Sequence, residues 1–368
     1  MLIDGKHYHT IWLAGKEKPF VQAIDQTLLP YEFRIVDLHT VRDIYQAIRD
    51  MRVRGAPLIG ASAAYGIYLA LLERNELDFL HESYQLLLSS RPTAINLKWA
   101  LDRSIRALKD IEDADLRLLK ARQLCDQIVM EDLAKSKALG EHGLELLKTL
   151  AAEKPSGEPI HILTHCNAGW LGCIDWGTAT APLYLAEQAG LNIHVWVDET
   201  RPRNQGALTA WEFKHNQIPH TVIVDNAGGH LMQKGLVDMV IVGTDRTFLS
   251  GHICNKIGTY LKALAAHANE IPFYVAVPSH SLDFRTQDPL GDTPIEERSD
   301  DEIRKVRGLD SELQIGELSI YTSDTPVKNF AFDITPPELV TALITERGIC
   351  KPNEISIRRF FPETMSIV

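Results

Sequence analysis

A chain of 368 residues exceeds the size at which one hydrophobic core usually keeps growing, so two domains are expected. With 45% hydrophobic and 24% charged residues and no low-complexity tract, the composition is that of a globular protein and excludes a disordered one. A net charge of −11 opposes the phosphate backbone of nucleic acids, although a few cations gathered in one pocket can still hold a small phosphate ester.

Met1 to Trp12 mixes charged and polar residues and lacks the apolar centre of a signal peptide. Strand-like pieces follow around Tyr8 to Leu13 and Phe33 to Asp37, then helical periodicity over Val41 to Met51, Ala56 to Glu73 and Trp99 to Asp110. This pattern predicts a small α+β domain over residues 1–130. The apolar run Leu58 to Leu72 is shorter than the roughly 20 residues of a membrane span and reads as a buried helix. Helical spacing continues from Asp115 to Leu150, until Pro155, Gly157 and Pro159 break it, and this stretch is expected to connect the domains.

Beyond it, short β-rich runs alternate with helices: Ile160 to Thr164, Ile193 to Val197, Thr221 to Val224, Met239 to Val242 and Phe273 to Val277. The alternation predicts a Rossmann-like α/β domain over 131–368, a parallel sheet with helices on both faces. In such sheets ligands bind beyond the carboxyl ends of the strands. No G-x-G-x-x-G or G-x-x-x-x-G-K-[ST] supports nucleotide binding, and no cofactor is expected. The five cysteines contain no C-x-x-C pair and no H-E-x-x-H is present, which argues for a reducing, cytoplasmic setting without zinc.

The residues that follow the strands carry the candidate chemistry. Thr164-His165-Cys166-Asn167-Ala168-Gly169 precedes a predicted helix, whose dipole and free N–H groups would favour a Cys166 thiolate; the competing reading is a small buried hydrophobe. Asp245 follows another strand and is either an acid or base of raised pKa, or an N-cap or partner of Arg246. Asn255 to Tyr260 is expected to open a helix, where Lys256 could hold a phosphate; the competing reading, ordinarily the commoner one, is a solvated lysine. Arg54 precedes Gly55, which permits close backbone approach, and Pro57, which suits a helix start; its fork suits a phosphate or a surface carboxylate. Glu199 to Pro202 and Gln205-Gly206 follow the second strand and shape a site or form a structural ion pair.

The landmarks D-Q-T-L-L-P at 25–30, R-G-A-P-L-I-G at 54–60, R-P-T-A-I-N-L at 91–97, T-H-C-N-A-G at 164–169, E-T-R-P at 199–202, N-K-I-G-T-Y at 255–260, P-I-E-E-R at 294–298 and A-F-D-I-T-P at 331–336 run through nearly the whole chain. In this order they resemble the methylthioribose-1-phosphate isomerase family, which is homologous to regulatory subunits of the exchange factor for translation initiation factor 2. The resemblance implies a catalytic Cys166–Asp245 pair and substrate contacts at Arg54, Gly55, Ala56, Arg91, Gln205, Asn255 and Lys256. It also implies a homodimer, no metal or cofactor, and aldose–ketose isomerisation of a 5-substituted ribose 1-phosphate. Alternatives are a 5-deoxyribose 1-phosphate isomerase of the same family, a non-catalytic regulatory subunit, and a ribose-1,5-bisphosphate isomerase, which would need a further basic cluster. The sequence departs from the usual pattern at Trp170, Asp175-Trp176, Thr244, Thr247, His252, Cys254 and Phe330. Trp170 is expected to narrow the pocket around carbon 5.

Overall fold

In the computed structural model, residues 1–363 are described. The first part is a three-stranded antiparallel sheet of Ile11–Ala14, Phe20–Ile24 and Ile35–Leu38, with Ile11 opposite Ala23 and Val21 opposite Leu38. Four helices follow: Val41–Arg49, Ala56–Glu73, Leu77–Ser90 and Ile95–Leu108. Thr40 and Asp43 form a reciprocal capping box at the first of these, which fixes its start. Ala56–Glu73 is long and apolar enough to cross a membrane by length and composition, yet 78% of it is buried inside the protein. It is the core helix that the apolar run predicts. The sequence pattern missed the strand Phe20–Ile24 and the helix Leu77–Ser90.

The connecting helix, Ala114–Glu153, is 40 residues long, or about 60 Å at 1.5 Å per residue. Asp113 caps it by accepting the Leu116 N–H at 2.9 Å. Ala121, Leu124 and Ile128 pack into the first hydrophobic cluster with the N-terminal helices. Leu139 and Leu147 pack into a second cluster beneath the large sheet, which Met1, Ile3, Ile24 and Leu29 also join.

The large sheet has seven strands in the order Gly348–Cys350, Ala342–Thr345, Phe273–Ala276, Met239–Val242, Ile160–Thr164, Ile193–Asp198 and His220–Ile223. All neighbours are parallel except the terminal Gly348–Cys350 hairpin. The five runs predicted as strands are all present, and separate apolar clusters line the two faces. Strand order reverses between Ile160–Thr164 and Met239–Val242, which pair with Ile162 opposite Met239. This is the switch point at which doubly wound sheets open a crevice. A four-stranded sheet carries Ile253–Lys256 between Arg246–Phe248 and Phe332–Thr335, with Asn255 opposite Asp333 and Lys256 opposite Phe332.

Candidate active site

Cys166 and Asp245 leave the two strands that flank the switch point, so topology alone directs them to one crevice. Cys166 has φ 69° and Thr200 has φ 61°, left-handed conformations that cost a non-glycine residue about 1–3 kcal/mol and persist only where surroundings impose them. Those surroundings are visible. The Cys166 N–H donates to Thr200 Oγ1 at 2.8 Å, and Thr209 Oγ1 donates to the Cys166 carbonyl at 2.8 Å.

The expected helix after Gly169 is absent: only the 3₁₀ turn Trp170–Gly172 follows, and the next α-helix is Ala181–Gln188. No helix dipole therefore favours a thiolate. Burial pushes the Cys166 thiol above its ordinary value, opposed by Arg54 and Lys256 and reinforced by Asp245. The resting group is a neutral thiol.

Burial likewise raises Asp245, against the pull of Lys256, Arg91 and Arg54. Its alternative role as partner of Arg246 is excluded by where that side chain goes. Arg246 donates to the Thr93 carbonyl at 2.9 Å and meets Asp283 at 3.4 Å.

Asn255 and Lys256 end a strand instead of opening a helix; the helix is Thr259–Ala268. Its free N–H groups do not await phosphate, because the Asp333 carboxylate accepts from Gly258 at 2.7 Å and from Tyr260 at 3.1 Å. The expected anion position under Lys256 is thus filled by the protein's own carboxylate. Lys256 itself is buried, with its ammonium 4.9 Å from the Phe332 ring centre. Burial lowers its pKa, while Cys166 and Asp245 oppose the shift. Asn255 donates to Thr259 Oγ1 at 3.0 Å, bracing the turn that follows Lys256.

Arg54 does not point a free fork into the crevice. It donates to Asn167 Oδ1 at 2.6 Å and to the Asn167 carbonyl at 2.8 Å. Asn167 in turn donates to Glu212 at 2.9 Å, and this fully buried carboxylate also accepts from Leu171 N–H at 2.9 Å and from Tyr184 at 2.7 Å. Gly55, at φ 100°, is required by the approach of another backbone: an added Cβ would lie 2.3 Å from the Gly172 carbonyl oxygen. Arg91 is paired with Glu296 at 2.8 Å, and Glu296 also holds Arg298 at 2.8 Å. Arg91 Nε and Gln205 Oε1 are buried without a hydrogen-bond partner among the described residues, so a polar ligand has groups to satisfy there.

Gly55, Ala56, Arg91, Asp245, Ile59, Ile95, Cys254 and Phe332 border a narrow cavity of about 40 Å³. Arg54 and Gln205 border a neighbouring groove of about 330 Å³. Trp170 lines neither. It is fully buried and packs against Trp211, because the 3₁₀ turn rotates it into the second hydrophobic cluster. The residues that sequence reasoning missed are Asn167, Glu212, Glu296, Arg298 and Asp333. Asn167, Glu296, Arg298 and Asp333 lie inside recognised motifs, so a signal was there for those four, and only Glu212 had none.

Residues 52–352 match the model of the Initiation factor 2 subunit family. The chain belongs to that family. Among its members, the methylthioribose-1-phosphate isomerase of Brucella anthropi is 51% identical over 99% of this chain and 100% of that protein. The protein of the same name from Rhizobium meliloti is 52% identical over 99% of this chain and 100% of its own length. A crystal structure of 5-methylthioribose 1-phosphate isomerase from Pyrococcus horikoshii superposes with a TM-score of 0.82 at 35% identity, covering 97% of each chain. A crystal structure of translation initiation factor eIF-2B subunit delta from A. fulgidus superposes at 0.77 with 36% identity, over 97% of this chain and 100% of that one. Both branches of the family therefore share this fold.

Proposed function

We propose that the chain isomerises 5-methylthioribose 1-phosphate to 5-methylthioribulose 1-phosphate, within methionine salvage. The observation that carries this reading is the meeting of a half-buried thiol, a half-buried carboxyl and a buried ammonium, Cys166, Asp245 and Lys256, at the switch point. Each of the three is shifted toward its neutral form by burial. The relatives named above, about half identical over the whole length, support the substrate.

Asp245, held protonated, gives its proton to the ring oxygen as the bond from that oxygen to carbon 1 breaks. Cys166 assists transfer of hydrogen from carbon 2 to carbon 1, and the oxygen on carbon 2 becomes the ketone as its proton passes to the Asp245 carboxylate left by ring opening. The phosphate stays attached throughout. Hydrogen travels either as a proton through a phosphoenolate or as a hydride, and deuterium uptake at carbon 1 in heavy water distinguishes these routes. Lys256, Arg91 and Gln205 face the phosphate and hydroxyl groups, while Arg54 braces the Cys166 loop. Ile59, Ile95, Cys254 and Phe332 supply an apolar wall that suits a methylthio group better than a second phosphate. A cavity of about 40 Å³ is too small for a sugar phosphate, so the lining must open to admit one, and the Arg91–Glu296 pair at its edge is the contact positioned to part.

The division into domains 1–130 and 131–368 belongs to the same proposal, supported by the change of hydrophobic cluster along the long helix between Leu133 and Leu139. So do a cytoplasmic location and a homodimer. The edge strand His220–Ile223 and the helix Thr259–Ala268 expose Val222, Leu261 and Leu264, apolar groups that a second copy would cover. The deciding experiment assays ketose formation from a panel of ribose 1-phosphates carrying methylthio, hydrogen or phosphate on carbon 5. Preference for the methylthio sugar is expected. Preference for another sugar reassigns the substrate, and no ketose from any of them returns the chain to the regulatory branch.

A further inference from the structure

Away from the crevice, donor groups from two distant parts of the chain meet near its beginning. His7 and His9 are separated by Tyr8, and their ring centres lie 5.2 Å from each other. Asp175 comes from the loop between the Trp170–Gly172 turn and the Ala181–Gln188 helix. Its Oδ2 is 2.8 Å from His7 Nε2 and 3.8 Å from His9 Nε2, and the three donor atoms all lie within 4.8 Å of one another.

The carboxylate is fixed before any ligand arrives. Asp175 is buried, and its Oδ1 accepts from the Met1 ammonium at 2.6 Å and from the Trp176 N–H at 2.9 Å, which turns Oδ2 toward the histidines. His7, with a side chain 56% exposed, leaves a path from solvent. Donors spaced in this way can converge on an ion about 2.0–2.2 Å from each after small ring rotations. Two imidazoles and one carboxylate are a ligand set for borderline divalent ions, with a further position for water or an amine.

A second histidine–carboxylate cluster shows what a closed arrangement looks like. His165 Nδ1 meets Asp198 at 2.8 Å, but Lys262 Nζ lies 3.2 Å from the same carboxylate and His165 Nε2 is taken by the Ile257 carbonyl at 2.8 Å. A lysine already supplies the cation there. At Asp175 the cation is the Met1 ammonium, which sits on Oδ1 at 2.6 Å and 3.2 Å from His7 Nε2, while Oδ2 itself faces only imidazoles.

We propose that His7, His9 and Asp175 bind one divalent transition-metal ion of the zinc class, outside the active site. The ion would join the beginning of the chain to the loop behind Cys166, a contact now made by the Thr10 N–H to the Ile174 carbonyl at 3.0 Å and Thr10 Oγ1 to the Trp170 carbonyl at 2.8 Å.

The test is calorimetric titration of the full chain, free of any added histidine tag, with zinc chloride, alongside the visible spectrum with cobalt(II). One ion per chain is expected, with a raised Tm and a cobalt spectrum lacking thiolate charge transfer, since no cysteine takes part. His7→Ala and His9→Ala should each weaken binding at least about tenfold, roughly 1.4 kcal/mol, while ketose formation is unchanged. Asp175→Asn also unpairs the Met1 amine, so the two histidine variants keep the test independent of folding. Absence of zinc binding in the parent protein overturns the proposal and leaves an ion-pair cluster only. Equal zinc affinity in parent and both histidine variants, or a thiolate band with cobalt, overturns it as well.

Discussion

Replacing Arg54 distinguishes two roles that the residue type alone cannot separate. A free phosphate clamp would act through substrate affinity, whereas the observed fork holds the loop that carries Cys166. Arg54→Ala removes charge-assisted bonds of 2.6 and 2.8 Å to Asn167, a residue that is itself buried. Each such bond contributes about 1.5–3 kcal/mol, and the stranded Asn167 oxygens add a desolvation cost, part of which water entering the space left by Arg54 offsets. The left-handed Cys166 backbone then loses one of its restraints. A net loss of about 3 kcal/mol in transition-state stabilisation corresponds to roughly a hundredfold lower kcat/KM. Most of the fall should appear in kcat, because the misplaced group is the thiol and the phosphate keeps Lys256 and Arg91. Steady-state kinetics on 5-methylthioribose 1-phosphate, with thermal unfolding as the control for folding, provide the measurement. An Arg54→Ala enzyme with unchanged kcat and a raised KM would refute the positioning role and restore the clamp.

Cys166→Ser and Asp245→Asn should each lower turnover at least about a hundredfold with a parent-like Tm, and near-normal ketose formation in either would remove that residue from the mechanism. Trp170→Ala should destabilise by about 3–5 kcal/mol through the cavity it opens, without altering the ratio of methylthio to 5-deoxy sugar turnover; a changed ratio would put Trp170 back beside carbon 5. Burial alone would raise Glu302, but hydrogen bonds and pairing with Arg298 and Arg203 outweigh it and hold the carboxyl at about 2. Since the folded value lies below the ordinary one, this contribution to stability is complete above about pH 4.3 and is lost as pH falls toward 2. Acid unfolding of Glu302→Gln should therefore show a smaller drop in Tm between those values than the parent, and identical profiles would show that the pair contributes nothing.

The parts of the fold that were legible in the sequence are those in which one local pattern suffices. Four of the five strand runs of the large sheet are short and apolar because they are largely buried on both faces, the edge strand His220–Ile223 being the exception, and Cys166 and Asp245 stood out by following two of the buried ones. Ala56–Glu73 was readable for the same reason. The Phe20–Ile24 strand was not, since only Gln22 interrupts its apolar residues and five positions do not define a period. The site's electrostatics were hidden for a different reason. Glu296 neutralises Arg91 across 205 positions and Asp333 occupies the Gly258 N–H across 75, so each cation and donor looked free when taken with its neighbours alone. Trp170 was misjudged because proximity in sequence to Cys166 says nothing about the direction in which a 3₁₀ turn sends a side chain.

The 40-residue helix gives the molecule a single spine. Its first half is anchored among the N-terminal helices and its second half under the large sheet, so neither region can melt without stripping one side of the other's support. A hinge in the usual sense, a few loop residues between independent bodies, has no place along this path. Relative motion of the regions that contribute Arg54 and Cys166 must instead be torsion or bending of a continuous rod, which stores energy elastically and returns it. The crevice therefore belongs to a molecule that flexes as a spring rather than one that opens as a door.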